Sequence, residues 1–203
     1  LAFVGSTAAH AQGRINFGNL SVPSQKILDG RLASANFGLP IFGPAGTYQY
    51  GLYIGPAGST AAQLTLVGTV LSLASTTTAA PAGMFSGGNP YLLPSLPGVT
   101  LDGSVPIAFM VKCWYAVDGS SFEAAYASND PVLVLGWSTM GYVTPTISPT
   151  SAANIFGTGP GQIQGFNFGG SLAPPPLSNV PEPSSVVLTG ISTAALLLLS
   201  RRK

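Results

Sequence analysis

The chain has 203 residues, 46% of them hydrophobic and only 6% charged, with a formal net charge of +1, one histidine and one cysteine. So low a charge content, against about a quarter in ordinary proteins, leaves no basic patch to neutralise phosphates and excludes a nucleic-acid surface. A single cysteine excludes an internal disulfide, and 26 glycines with 18 prolines predict many short strands joined by turns.

Residues 1–11, Leu-Ala-Phe-Val-Gly-Ser-Thr-Ala-Ala-His-Ala, read as the end of an apolar signal-peptide core, and Ala9-His10-Ala11 supplies a small-x-small cleavage pattern before Gln12. The segment has neither an initiator Met nor a basic region, so part of the signal is expected to precede Leu1. His10 lies in this segment. The mature body is therefore expected to hold no histidine, which removes Ser-His-Asp and Cys-His catalysis and every His-based metal site.

Period-two alternation then marks half-buried strands. Ile15 and Phe17 share one face of Arg14-Ile15-Asn16-Phe17. Asn19-Leu20-Ser21 fits a glycosylation sequon, here read as a chance match. Tyr48, Tyr50, Leu52 and Ile54 form a second row, closed by the turn Gly55-Pro56-Ala57-Gly58, and residues 64–73 form a third strand. Residues 74–98 read as loop, and Asp102-Gly103 as a plain turn.

The clearest strand runs from Val105 to Val117, with Ile107, Phe109, Val111, Cys113, Tyr115 and Val117 on one face and Lys112 and Trp114 on the other. Asp118-Gly119 ends it. Ser120-Ser121-Phe122-Glu123 is a capping box for a short helix through Ala127, stopped by Asn129-Asp130-Pro131. Residues 132–135 predict a buried strand ending near Trp137. Residues 144–161 read as loop, and a last strand spans 163–168. Ala173-Pro174-Pro175-Pro176 opens an extended linker.

The body is thus expected to be all-β, an antiparallel β-sandwich of jelly-roll or Ig-like type with one short helix, over residues 12–172. Residues 173–180 form the linker. The body carries Arg14, Lys26, Arg31 and Lys112 against Asp29, Asp102, Asp118, Glu123 and Asp130, so the positive net charge comes from the tail.

Little of this suggests chemistry. Cys113 lies in an apolar row and reads as a buried, inert thiol. Glu123 with Asp118 or Asp130 is the nearest approach to a glycosidase pair, which needs carboxyls roughly 5–9.5 Å apart. Glu123 is better explained by helix capping and Asp130 by the helix stop. Tyr48, Tyr50, Tyr53, Trp114, Trp137 and Tyr142 could stack on sugar rings if exposed on one sheet face, and otherwise pack as sheet aromatics. No cofactor and no metal site is expected.

The last stretch reads Val180-Pro181-Glu182-Pro183-Ser184-Ser185, then an apolar run from Val186 to Leu199, then Arg201-Arg202-Lys203. The prolines forbid a helix through them, and Ser184 or Ser185 can cap one that follows. A helix over about residues 185–200 would be roughly 25 Å long, the short limit for a membrane span of about 30 Å. The three cations would sit at the headgroups on the cytoplasmic side.

This tail resembles the PEP-CTERM sorting signal of Gram-negative bacteria over about residues 180–203. The resemblance implies that Pro181, Glu182 and Pro183 form the sorting motif and that an exosortase-type protease processes the tail. Arg201, Arg202 and Lys203 would form the membrane stop. The protein would pass from an inner-membrane-anchored precursor, body in the periplasm, to the cell surface or extracellular matrix. The body is also similar to small exported β-rich proteins that carry this tail, in Gly13-Arg14-Ile15-Asn16-Phe17, in Gly51-Leu52-Tyr53-Ile54-Gly55-Pro56-Ala57-Gly58 and in Val111-Lys112-Cys113-Trp114-Tyr115.

The expectation is a non-catalytic exported surface or matrix-associated protein, with membrane lipid and the processing protease as partners. The alternatives are a module binding extracellular polysaccharide, or a secreted hydrolase using Glu123 with Asp118 or Asp130.

Overall fold

The computed structural model describes residues 12–22, 24–128 and 133–169. The expected signal-peptide segment, the expected Asn129-Asp130-Pro131 stop, the expected linker and the whole of the expected sorting tail lie outside those residues. Among the described residues, no helix is long and apolar enough to cross a membrane.

The strands, in chain order, are β1 (Arg14–Gly18), β2 (Leu28–Asp29), β3 (Tyr48–Pro56), β4 (Thr65–Leu71), β5 (Ser86–Leu92), β6 (Ile107–Tyr115), β7 (Leu135–Trp137), β8 (Gly141–Val143), β9 (Ala153–Asn154) and β10 (Asn167–Phe168). A single α-helix among the described residues, α1 (Phe122–Ala127), follows β6. The protein is therefore all-β with one short helix. Strands β5-β1-β9 make one sheet; β2-β10-β7-β6-β3-β4 make a larger one, in which β8 also pairs with β6. Pairing is antiparallel except at β1–β9 and β10–β2, where two residues on each side run parallel. To that extent the expected antiparallel body is corrected.

The backbone of the larger sheet is β3 against β6, paired over nine residues from Tyr48↔Tyr115 to Pro56↔Ile107. Alternation sends Tyr48, Tyr50, Leu52 and Ile54 to the same side as Ile107, Phe109, Val111 and Cys113, where they join Ile15, Phe17 and Phe85 in one core. The two sheets thus share their main core. Phe85 stacks on Tyr50 at 4.2 Å between ring centroids and meets Phe17 edge-on at 5.4 Å. Each large side chain so buried contributes roughly 1.5–3 kcal/mol. On the other side Tyr53, Ala108, Met110 and Trp114 pack beneath Phe122 and Ala125 of α1 in a second core. Strand β6 is therefore covered on both faces, which explains why both of its rows are apolar.

Several elements differ from expectation. The clearest strand stops at Tyr115: Val117 leaves its row for a 3-10 turn over Ala116–Asp118 and is 92% exposed. The strand expected over residues 64–73 contracts to Thr65–Leu71. The one expected over 132–135 begins at Leu135, with Val132 outside the described residues. The last strand shrinks to Asn167–Phe168, and Ile163 makes only an isolated bridge to Phe156.

Both expected loops contain strands, β5 and β9. Strand β5 reads Ser-Gly-Gly-Asn-Pro-Tyr-Leu, a turn composition, yet it pairs with β1 through a register shift. A side chain at Gly87 would put its Cβ 2.3 Å from Phe17 Cδ1, so the ring of β1 occupies the space the glycine leaves. Pro90 falls where the register shifts and has no ladder hydrogen bond to lose.

Candidate functional site

The most concentrated polar chemistry sits beneath α1. Ser121 is the N-cap, its hydroxyl accepting from the Ala124 amide at 3.1 Å. The helix therefore starts one residue later than the expected box requires, and Glu123 is not its capping carboxylate. Instead Glu123 turns onto the sheet. Its Oε2 accepts from the Tyr53 hydroxyl at 2.7 Å and its Oε1 from Lys112 Nζ at 2.9 Å. The Lys112 side chain is 0% exposed and that of Glu123 17%. The ammonium lies 4.0 Å from the centroid of the Tyr53 ring and 4.9 Å from that of Phe122.

Burial pulls the Lys112 ammonium below the usual lysine range, against the pull of the carboxylate beside it. For Glu123 burial acts upward, but the Tyr53 and Lys112 hydrogen bonds outweigh it and hold the carboxyl below its usual value. An ionised carboxylate that already accepts two bonds ties α1 to β3 and β6, and is poorly placed to donate a proton as a glycosidase acid must. Asp118 sits in the 3-10 turn before α1. Asp130 lies outside the described residues.

A second ionic cluster was not legible in the sequence. Arg31 grips Asp29 with two bonds, Nε to Oδ1 at 2.9 Å and Nη2 to Oδ2 at 2.6 Å, and Ser34 donates to Oδ2 at 2.6 Å. Arg31 Nη1 also donates to the Tyr115 hydroxyl at 3.2 Å. The guanidinium bonds hold the Asp29 carboxyl at about 2, against burial. A cavity of about 80 Å³ adjoins the cluster, lined by Asn36, Ile41, Phe42 and Tyr48 with the pair itself. Nothing in an Asp-Gly-Arg run distinguishes such a fork from an ordinary polar turn.

No known family, characterised protein or solved structure matches this chain. The reading of the site therefore rests on its residues. Cys113 is buried in the main core, and burial raises its thiol well above the normal range, as expected of an inert cysteine. Among the described residues, no three His, Cys, Asp or Glu side chains cluster so as to hold a metal. Asp102 accepts from the Ser104 amide at 2.9 Å, the plain turn the sequence predicts.

Of the six aromatics considered for sugar stacking, Tyr48, Tyr50, Tyr53 and Trp114 are buried, Trp137 is half-buried against Phe122, and Tyr142 alone is exposed. Tyr142 borders an open groove of about 400 Å³ with Thr144, Asn154, Pro160 and Gln162.

The sequon asparagine is fully buried. Asn19 Nδ2 donates to the carbonyls of Gln25 and Gly83 at 2.8 and 2.9 Å, and its Oδ1 accepts from the Phe85 amide at 2.8 Å. Just past the end of β1, it pins the loop that follows to the segment leading into β5, and is inaccessible to a glycan. The expected sorting motif Pro181, Glu182 and Pro183 and the expected membrane stop Arg201, Arg202 and Lys203 lie outside the described residues.

Proposed function

We propose that this is a non-catalytic exported protein of the cell surface or extracellular matrix, delivered by its C-terminal PEP-CTERM-type tail, with a body built as a β-sandwich. The observation that carries the reading is the order of the tail: Pro181-Glu182-Pro183, an uncharged apolar run from Val186 to Leu199, then Arg201-Arg202-Lys203. The apolar run inserts as a short helix with its cations at the cytoplasmic headgroups. An exosortase-type protease cuts near the Pro-Glu-Pro motif, and the body leaves the membrane. The body supports the reading through its chemistry, since its carboxylates Asp29 and Glu123 serve ion pairs that hold elements together.

Cell fractionation with mass spectrometry of the C-terminus tests this. Leu197→Asp with Leu198→Asp should abolish membrane retention, since each charge in a span costs about 2.5–3.5 kcal/mol. Glu182→Ala should hold the uncut form in the membrane. Extracellular protein still ending at Lys203 would overturn the processing step.

A second reading, binding of extracellular polysaccharide, is favoured by one observation. The groove beside Tyr142 offers an exposed ring for stacking, with uncharged hydroxyl and amide groups around it. Glycan binding that survives Tyr142→Ala would remove this site from consideration.

A further inference from the structure

Strand β4 is an edge. It pairs only with β3, and none of its seven residues is buried. The direction of its backbone groups follows from the ladder. Ser72 N–H donates to the Tyr48 carbonyl at 2.8 Å, so the Tyr48–Ser72 position is hydrogen-bonded. Antiparallel positions alternate, and the register runs Gln49↔Leu71, Tyr50↔Val70, Gly51↔Thr69 and Leu52↔Gly68. Val70 and Gly68 therefore bond to β3, while the N–H and C=O groups of Thr69 and Leu71 point away from it, off the end of the sheet. The same alternation holds on the far side of β3, where the Ala116 amide donates to the Thr47 carbonyl at 3.0 Å and odd-numbered residues face β6.

Natural edge strands are normally guarded by charge, proline or a bulge. Here no Asp, Glu, Lys, Arg or His occurs between Arg31 and Asp102, a stretch holding all of β3, β4 and β5. Strand β4 itself, Thr-Leu-Val-Gly-Thr-Val-Leu, has no proline. Its one guard is the register shift that leaves Val67 without an opposite residue, and the Tyr91 hydroxyl covers the Val67 carbonyl at 2.8 Å. Beyond that point, Thr69 and Leu71 side chains are exposed, Leu71 to 51%.

We infer that this edge pairs with the same edge of a second copy of the chain, antiparallel about a two-fold axis at Val70. That register sets Thr69 against Leu71 of the second copy and Leu71 against its Thr69. Each pair can exchange two backbone hydrogen bonds with the groups that point outward, and Val70 faces Val70 across the axis. The Tyr91 hydroxyl on Val67 closes the ladder at one end, so the pairing is short. A second copy suits the edge for two reasons: it brings the complementary groups in the same register, and it meets no like charge. A charged partner would gain no ion pair there. The two larger sheets would then run on as one across the axis.

Disulfide trapping in the full 203-residue chain tests the register. Val70 positions across the axis would place Cα atoms about 4.5 Å apart, within the span a disulfide accepts. Val70→Cys should give a covalent dimer under mild oxidation, while Thr65→Cys, beyond the Val67 irregularity, should stay monomeric. Thr69→Pro removes an N–H that β3 does not use. It should keep the wild-type melting temperature, cut the Val70→Cys dimer yield at least about tenfold, and sediment in detergent as a monomer where wild type is a dimer. The apolar tail is present in every variant and cannot imitate that difference. A wild-type chain that sediments as a monomer would overturn the inference, as would a Thr69→Pro chain that stays dimeric or equal cross-linking at positions 65 and 70.

Discussion

Asn19 offers the sharpest test of how the body is held. Asn19→Leu keeps the size and removes three hydrogen bonds at a residue with 0% exposure. The Gly83 carbonyl retains the Ile27 amide at 3.0 Å, but the Phe85 amide and the Gln25 carbonyl lose the side-chain partners they have in the native fold. Three net bonds at about 1 kcal/mol each, plus about 1–3 kcal/mol for orphaned buried groups, less what a buried leucine returns, give a loss of about 3 kcal/mol. For a body of this size that is a fall of about 6–12 °C in melting temperature.

Asn19→Asp separates the donors from the acceptor. The carboxylate can still accept from Phe85, but its other oxygen meets two carbonyls, so its folded pKa must rise above the unfolded value of about 3.9. A raised carboxyl pKa imposes a penalty that is full above the folded pKa and relieved as pH falls towards the unfolded one. Urea unfolding at pH 8 and pH 5 should therefore place Asn19→Asp below Asn19→Leu at pH 8 and level with or above it at pH 5. An Asn19→Leu protein within about 1 kcal/mol of wild type, or an Asn19→Asp deficit that ignores pH, would refute the reasoning.

Beneath α1, Glu123→Ala removes the carboxylate 2.9 Å from a fully buried ammonium and should cost about 3 kcal/mol in denaturant unfolding. Lys112→Met should cost clearly less, because Glu123 keeps the Tyr53 hydroxyl and some contact with water; equal losses would show that the pair is not what holds the helix. The Asp29 carboxyl, at about 2 when folded against 3.8 unfolded, adds stability that is fully present above about pH 4 and is lost as pH falls through 2. The contribution is at most about 2 kcal/mol, reduced because the Arg31 side chain is 36% exposed. Arg31→Met should flatten the acid slope between pH 4 and pH 2 in thermal melts.

The long paired strands were legible because both β3 and β6 alternate cleanly over many residues. The rest escaped for identifiable reasons. Strand β5 hides behind two glycines, and the space left at Gly87 is filled by Phe17, a long-range fact that local composition cannot carry. Strands β2, β9 and β10 are two residues each, too short to show a period. The alternation of β6 puts Lys112 on the correct face, but its burial depends on α1 covering that face. One signal was available: Ala108, Met110 and Trp114 on the same row are apolar, which a solvent-facing row would not be. Read locally, Glu123 fits a cap one residue out of step, and its true partners lie on other elements, 70 residues away in the case of Tyr53. The Asp29–Arg31 fork needed the fold to set Tyr115 and Ser34 around it.

The order in which strands find partners bears on when the body can form. Strand β1 is the middle of its sheet, yet its neighbours are β5 and β9, and β2 is paired by β10, nearly the last described residues. A chain emerging from its N-terminal side would give β1 its partner β5 by residue 92, but would leave the other edge of β1 open until β9 and β2 without a partner strand until β10, and contacts of such long sequence separation form slowly. The body cannot lock early. Both sheets close last, when β9 and β10 reach the edges that β1 and β2 hold open.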